Sequence, residues 1–463
     1  MAPWVPPFPE PPRRPSWRQR WEGLRSWFAW LTPFSYRLPA GRASLLGQTM
    51  VLVNDPAEVR RLLVDEVDDH PKHPLTLWVL APLIGRGVFS VNGEEWQQQR
   101  RWIDQALQQA SLQKVFPQMQ AAAAAMLDRL EERLDGDSGV CIDLQSEMTT
   151  YTADVIVRTI LSEPVSGPDA AAVFESFSRY QHRTVPALVL RLLGVPGPWL
   201  EGYLQHHARP IRVWLAERVR RRLSGESPPR PDLLQVLIDS RAFDAEQLVD
   251  QVCVLFLAGH ETSAMLLAMA GWLLSHDLIW QDRVHQEIDD LLGHTGGNPG
   301  PADLRRLVQT AAVLNETLRL YPPLPFVIRQ SLHVERVAGE RCPMGGVLTL
   351  SPWVLQRHRS RWADPDAFRP ERFLEDDERE AVREAYLPFG LGPRRCPGAA
   401  FAQQEALVLL VALLRRHRLE AAGGPPPRLV GRLTLRSTTG AVVTIRRRQW
   451  PDRGGAVAAA AAS

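Results

Sequence analysis

The stretch Leu387–Phe401, LPFGLGPRRCPGAAF, sets Cys396 among three glycines, three prolines and two arginines. An apolar, helix-patterned run follows, so Cys396 lies just before a helix N-terminus. Backbone N–H groups and the positive end of the helix dipole there favour a thiolate. Arg394 and Arg395 add positive charge nearby. Gly390 and Gly392 permit a tight turn, or close approach to something flat and large. A cysteine so placed can be a nucleophile or a metal ligand. A nucleophile wants a histidine partner, and no local motif supplies one. The plain alternative, a buried cysteine at a helix start, does not account for the density of glycine and arginine. Cys342, in GERCPMGG, also precedes a proline, but it lacks the arginine two residues before and the helix after. It reads as a structural turn cysteine.

Two other groups have chemical potential. AGHETS, residues 258–263, places ionisable side chains in the middle of a long apolar run. Gly259 leaves room where a side chain would obstruct a small ligand. Thr262 can bond back to the carbonyl of Ala258, which bends a helix. NETLRLYPPLPFVIR pairs Glu316 with Arg319 at i,i+3, on one helix face. Such pairs are common on surfaces, so this one gains weight only beside FRPERF downstream.

The elements that must position these residues are mostly helical. Patterns over 94–109, 111–134, 144–162, 169–182, 199–223, 246–276, 278–292, 302–320 and 398–417 read as helices. Short β-like runs cluster early (GQTMVLVND) and late (GVLTLSP, RLTLRSTTGAVVTIRRR). We expect a mostly α protein with small peripheral β-sheets: one domain over 17–450, with a disordered Pro-rich 1–16 and a disordered tail 451–463. Val252–Leu274 is apolar and long enough to span a bilayer, but His260, Glu261 and Thr262 at its centre favour a helix through a soluble core. Trp17, Trp21, Leu24, Phe28 and Leu31 fall on one helix face. That helix either docks on its own protein or touches a membrane surface through residues 17–31.

Composition narrows the function classes. The 463 residues carry a net charge of +2, with no global footprint for nucleic acid. Lys72 and Lys114 are the only lysines among 54 basic residues, a skew that suggests a GC-rich genome. The four cysteines form no CxxC pair, so neither a zinc or iron–sulfur site nor a disulfide framework is expected. The N-terminus lacks the apolar core of a signal peptide, and a cytoplasmic location is the default expectation.

Phe389, Gly392, Arg394, Cys396 and Gly398 form F-x-x-G-x-R-x-C-x-G, which resembles the haem-binding loop of the cytochrome P450 family. The resemblance implies that Cys396 is the axial thiolate of a haem b iron. It implies that Phe389 packs against that ligand and that Arg394 reaches a haem propionate. Glu316 and Arg319 then belong to a buried triad with Arg372. Arg329 falls where the family has a propionate-binding arginine. Trp96 and Arg100, in NGEEWQQQRRW, match the W-x-x-x-R pair that approaches a propionate. AGHETS resembles the oxygen-activation motif, so Thr262 and Glu261 become the proton relay, with Ala258 and Gly259 beside the haem. His260 takes the motif's variable position. The likeness covers about residues 35–447. It departs at Gln105, Leu107, Gln356 and His358, which puts propionate contacts and local packing in question.

The implied function is a haem-thiolate monooxygenase, inserting one atom of dioxygen into a hydrophobic substrate: a fatty acid, terpenoid, steroid or polyketide-like molecule. Segments 74–89, 255–259, 323–328 and 433–438 would line its pocket. With no nucleotide-binding turn or cysteine cluster in the chain, electrons are expected from a separate ferredoxin or flavodoxin with its NAD(P)H reductase. Arg100, Arg101, Arg395, Arg415 and Arg416 are candidates for that docking face, and a monomer is expected. The alternatives are a peroxide-dependent haem-thiolate enzyme, against which the Glu261–Thr262 pair argues, and a non-catalytic haem-based binding or sensing protein.

Overall fold

The computed structural model describes residues 4–7, 26–45, 47–110, 112–134, 139–165, 168–293 and 299–448. Helices make the body. In chain order the long ones are α1 (Pro74–Ile84), α2 (Gly93–Ala110), α3 (Leu112–Glu131), α4 (Leu144–Leu161), α5 (Pro168–Leu192), α6 (Gly197–Leu223), α7 (Ala245–His276), α8 (Leu278–Leu292), α9 (Val308–Leu320) and α10 (Ala399–Arg416). The central helix is α7. Asp244 caps it, with Gln247 closing a capping box. It is long and apolar enough to cross a bilayer, yet most of it is buried among its neighbours.

The strands are peripheral. β1 (Ala40–Leu45), β2 (Gln48–Val53), β7 (Val347–Leu350) and β4 (Val327–Gln330) form one sheet in the order β1-β2-β7-β4, with β2 and β7 parallel. A second sheet orders β3 (Val140–Asp143), β11 (Val442–Arg447) and β8 (His417–Ala421) as β3-β11-β8. Two-stranded ribbons join β5 (Glu335–Val337) to β6 (Glu340–Cys342) and β9 (Leu429–Gly431) to β10 (Leu435–Ser437). This is the expected class, mostly α with small sheets at the edge.

Some boundaries differ from the sequence reading for identifiable reasons. α5 runs ten residues beyond the expected 182, straight through Pro186, because Val185 and Ala187 bury their side chains in the core. The expected helix 302–320 starts only at Val308, since Asp303–Arg306 is a separate 3-10 turn. α1 was not anticipated as a helix.

Within the N-terminal segment expected to be disordered, Trp4 is packed. It stacks on His276 at 5.2 Å, and its carbonyl accepts from Phe368 N at 2.9 Å. Of the expected helix over 17–31, residues 17–25 lie outside the described residues. The remainder is a four-residue 3-10 turn, Trp27–Trp30. Phe28 lies 4.4 Å from Trp353, and Leu31 is buried, so this piece docks on its own protein. The tail 451–463 also lies outside the described residues.

Candidate functional site

Three segments build the site: the Cys396 loop, the middle of α7, and a ring of cations. The loop is a turn forced by two glycines. Gly390 and Gly392 have φ of +74° and +73°, a region costly for other residues. A Cβ on Gly392 would stand 2.1 Å from the carbonyl oxygen of Leu63, which belongs to a π-helical turn over Arg61–Asp65. Hydrogen bonds then fix the cysteine: Cys396 N donates to Phe389 O at 2.8 Å, and Arg395 N to Gly392 O at 3.1 Å. Gly398 caps α10, so Cys396 sits at that helix's N-terminus as expected.

The electrostatics of the thiol differ from the expectation. Cys396 is exposed, yet desolvation by the surrounding protein pushes its pKa up. The Gly398 N–H and Arg100 pull in the other direction. Arg394 and Arg395 do not supply the nearby charge. The Arg394 guanidinium lies over the Trp96 ring at 4.9 Å, and the Arg395 side chain faces outward. Arg100 reaches the loop instead. Its Nη1 donates to Arg395 O at 2.8 Å, and Asp104 holds its Nε at 2.8 Å. The W-x-x-x-R pair thus works as a unit: Trp96 carries Arg394 and Arg100 braces the cysteine loop.

Arg329 on β4, Arg394 and Arg100 converge with a fourth cation that the sequence did not single out, Lys72. Lys72 Nζ donates to Val88 O at 3.0 Å and Val91 O at 2.9 Å. Asn92 Oδ1 accepts from both Lys72 N and Arg394 Nη1 at 3.1 Å. Burial, then Arg394, Arg329 and Arg100, pushes Lys72 down to about 6. Burial and Arg394 take Arg329 down to about 9. The Nε atoms of Arg329 and Arg394 are buried without a hydrogen-bond partner. Among the described residues no carboxylate pairs with Lys72, Arg329 or Arg394. Buried cations gathered without counter-charge are costly, and orphaned donors more so. A dianionic ligand is what the cluster lacks. The two carboxylates of haem fit it, beside a thiol able to ligate iron.

On α7 the motif splits into two faces. Thr262 Oγ1 donates to Ala258 O at 2.8 Å, as expected, and Ala258 is exposed midway along a mostly buried helix. These two residues form the accessible face of the motif. Gly259 is not part of it. A Cβ there would meet Ile156 Cδ1 of α4 at 2.6 Å, so this glycine permits close helix packing rather than room for a ligand. Glu261 is also turned away from Thr262. Its carboxylate takes a hydrogen bond from Gln181 of α5 and lies 3.5 Å from the Arg436 guanidinium of β10. Burial holds its pKa above the usual range, with Arg436 opposing. Direct relay from Glu261 through Thr262 is therefore not the resting geometry. His260 is buried, with Nδ1 2.7 Å from Phe256 O.

Beneath the loop lies the expected triad, fully buried. Glu316 takes Arg319 Nε at 2.6 Å and Nη2 at 2.7 Å, and Arg372 Nε lies 3.4 Å from it. A fourth member completes the charge balance: Glu378 bonds Arg372 Nη1. Gln356, a departure from the family pattern, joins the network to the loop. Its Nε2 donates to Leu318 O and Arg319 O, and its Oε1 accepts from Leu387 N at 2.8 Å. His358 bonds Ser360 and the Leu38 carbonyl, away from the cation ring. Cys342 is buried in β6 with its pKa pushed up to about 11, in keeping with a structural role.

The expected pocket segments supply half-buried apolar side chains: Leu75, Leu77, Trp78, Leu255, Phe326, Val327 and Leu433. Of the five docking candidates, Arg101, Arg395 and Arg416 are exposed, whereas Arg100 is engaged with the loop and Arg415 is buried.

The sequence profile described as Cytochrome P450 matches residues 36–443. The chain is 31% identical over 343 residues to cyclooctat-9-en-7-ol 5-monooxygenase of Streptomyces melanosporofaciens, covering 71% of each chain. It is 29% identical over 384 residues to 11-oxo-beta-amyrin 30-oxidase of Glycyrrhiza uralensis, covering 78% of this chain and 71% of that one. Its backbone matches the crystal structure of the cytochrome P450DA heme domain with a TM-score of 0.80 at 22% identity, over 96% of this chain and 98% of that one.

Proposed function

We propose that this chain, which belongs to the cytochrome P450 family, is a haem-thiolate monooxygenase whose substrate is an apolar cyclic terpenoid. Bound haem supplies the activation of dioxygen. The overall change takes a C–H bond, dioxygen, two electrons and two protons to an alcohol and water. The electrons come from a separate redox partner, for which we propose a ferredoxin or flavodoxin with its reductase.

The protein's own contribution follows from the site. Cys396 would hold the iron, and Lys72, Arg100, Arg329 and Arg394 would hold the haem carboxylates, with Trp96 keeping Arg394 in place. The single observation carrying the haem assignment is the cluster of Lys72, Arg329 and Arg394, none of them ion-paired with a carboxylate among the described residues, placed beside the capped cysteine loop. Thr262 Oγ1, engaged with Ala258 O, can hold a proton or water at the oxygen-facing side of α7. Glu261 can join it only when the Gln181 and Arg436 contacts open, so α5 and β10 govern access to that proton store.

The terpenoid reading rests on half-buried apolar side chains in the expected pocket segments and on relatives named cyclooctat-9-en-7-ol 5-monooxygenase and 11-oxo-beta-amyrin 30-oxidase. Spectral titration of the haem-loaded protein with cyclic terpenoids, long fatty acids and steroids tests it. The expected result is a substrate-type shift at the lowest concentration with a terpenoid, and an alcohol product labelled by isotopic dioxygen in reconstituted turnover. Tighter binding and turnover of fatty acids would overturn the substrate class while leaving the reaction class standing.

A further inference from the structure

We propose that His70, His333 and Glu335 form a binding site for a divalent cation of the zinc type, which the monooxygenase reading does not use. One donor atom from each of the three side chains lies within 4.8 Å of the other two. His70 follows the π-helical turn over Arg61–Asp65, and Glu335 opens β5 two residues after His333. The two imidazole rings stand edge to face with centroids 5.9 Å apart.

Hydrogen bonds prepare two of the ligands. His70 Nδ1 lies 2.7 Å from the Glu66 carbonyl oxygen. A carbonyl only accepts, so Nδ1 carries the proton and Nε2 of the neutral ring presents a lone pair. That lone pair meets another acceptor, Glu335 Oε1, at 2.9 Å. Two acceptors so close repel each other unless positive charge joins them. A second ring proton could supply it, and so could a metal ion bound to both atoms. Glu335 is oriented in turn by Arg61 Nη2, which donates to Oε2 at 2.8 Å, and by Ser331 Oγ, which bonds Oε1. Outer partners of this kind aim metal ligands. His70 is fully buried and the Glu335 side chain nearly so. His333 is exposed, and its ring makes no hydrogen bond among the described residues, so it is free to turn onto an ion arriving from solvent.

Charge and ligand type agree. Arg61 is shared by three carboxylates, those of Glu58, Glu66 and Glu335, which leaves negative charge for a cation to balance. Two imidazoles and one carboxylate suit zinc with water in a fourth position, whereas magnesium and calcium want oxygen throughout. The ion would clamp two paired segments. Leu332 N donates to Asp69 O at 3.2 Å and Gln330 N to Pro71 O at 2.9 Å, and Lys72 bridges to Arg329. Only the benefit to haem retention, through Lys72 and Arg329, rests on the haem reading; the metal site does not.

The test uses the haem-loaded protein, cleared of metal with a chelator and then given zinc chloride. One zinc per chain should survive gel filtration, and X-ray absorption at the zinc edge should show two imidazole nitrogens with oxygen completing the shell. His333→Ala, a change at an exposed side chain, should lose the zinc and keep the haem spectrum. The thermal midpoint should rise with zinc in the native protein and stay put in His333→Ala. The competing surface site is the pair His206 and His207 on α6, with ring centroids 5.4 Å apart. Replacing both by alanine should leave zinc binding unchanged. Zinc retained by His333→Ala, or lost from the His206/His207 double variant, overturns the assignment. So does a zinc edge without imidazole. Failure to retain any zinc overturns it as well, and leaves His70 and Glu335 as an imidazolium–carboxylate pair. Loss of the monooxygenase reading would show separately, as absence of thiolate ligation with zinc binding intact.

Discussion

Around Cys396, burial outweighs the helix N-terminus and Arg100, so the thiol holds its proton more firmly than a free cysteine. The motif alone suggested the reverse. A bound metal removes that proton, which makes ligation, not the basic collar, the source of the thiolate. Lys72 carries the opposite lesson. It sits at about 6 beside three arginines, and carboxylates placed among them would raise it. Haem uptake should therefore take up a proton above about pH 6, and affinity should fall as pH rises. Haem dissociation measured across pH should show this slope in the native protein, and a weaker one with Lys72→Met. Thr262→Ala should keep haem and substrate binding but lower product formed per electron pair. The loss should approach the ~10²-fold typical of a missing proton-transfer group, with Thr262→Ser restoring most of it. Cys396, Arg394 and Trp96 were legible because their motifs are contiguous. Lys72 was not, since its companions stand 257 and 322 positions along the chain, at Arg329 and Arg394.

The helices explain residues whose types the sequence displays but whose partners it conceals. Gly259 stands in an oxygen-activation motif, yet its missing side chain accommodates Ile156. Gly259→Ala should cost about 1–3 kcal/mol by overpacking, measured by urea unfolding, and Ile156→Val should recover much of it. A variant of unchanged stability with weakened ligand binding would return Gly259 to the pocket. The same concealment applies to Gln356, which joins the triad's network from 37 positions beyond Arg319. Periodicity located most long helices to within a few residues, because amphipathic faces are written locally. It ended α5 at 182, whereas the helix continues through Pro186 to Leu192, where tertiary burial overrides the usual cost of proline in a helix.

At the scale of the molecule, one α-rich body carries the cysteine loop, the Thr262 segment of α7 and the cluster of Lys72, Arg329 and Arg394. Fold class and reaction class were both readable because the chain's five motifs occur in one order. The substrate was not, because apolar lining discriminates little. Arg101, Arg395 and Arg416 remain as exposed cations for a partner. Reversing all three charges should slow ferredoxin-supported reduction by about tenfold at low salt, with the difference shrinking as salt rises. Peroxide-driven turnover should not change. The central claim is that Cys396 ligates haem iron in this body. The most direct measurement is the carbon-monoxide difference spectrum of the reduced protein, native and Cys396→Ala. The red-shifted band of thiolate ligation should dominate in the native protein and vanish in the variant. The same band in Cys396→Ala, or its absence from a native protein that holds haem, would contradict the account.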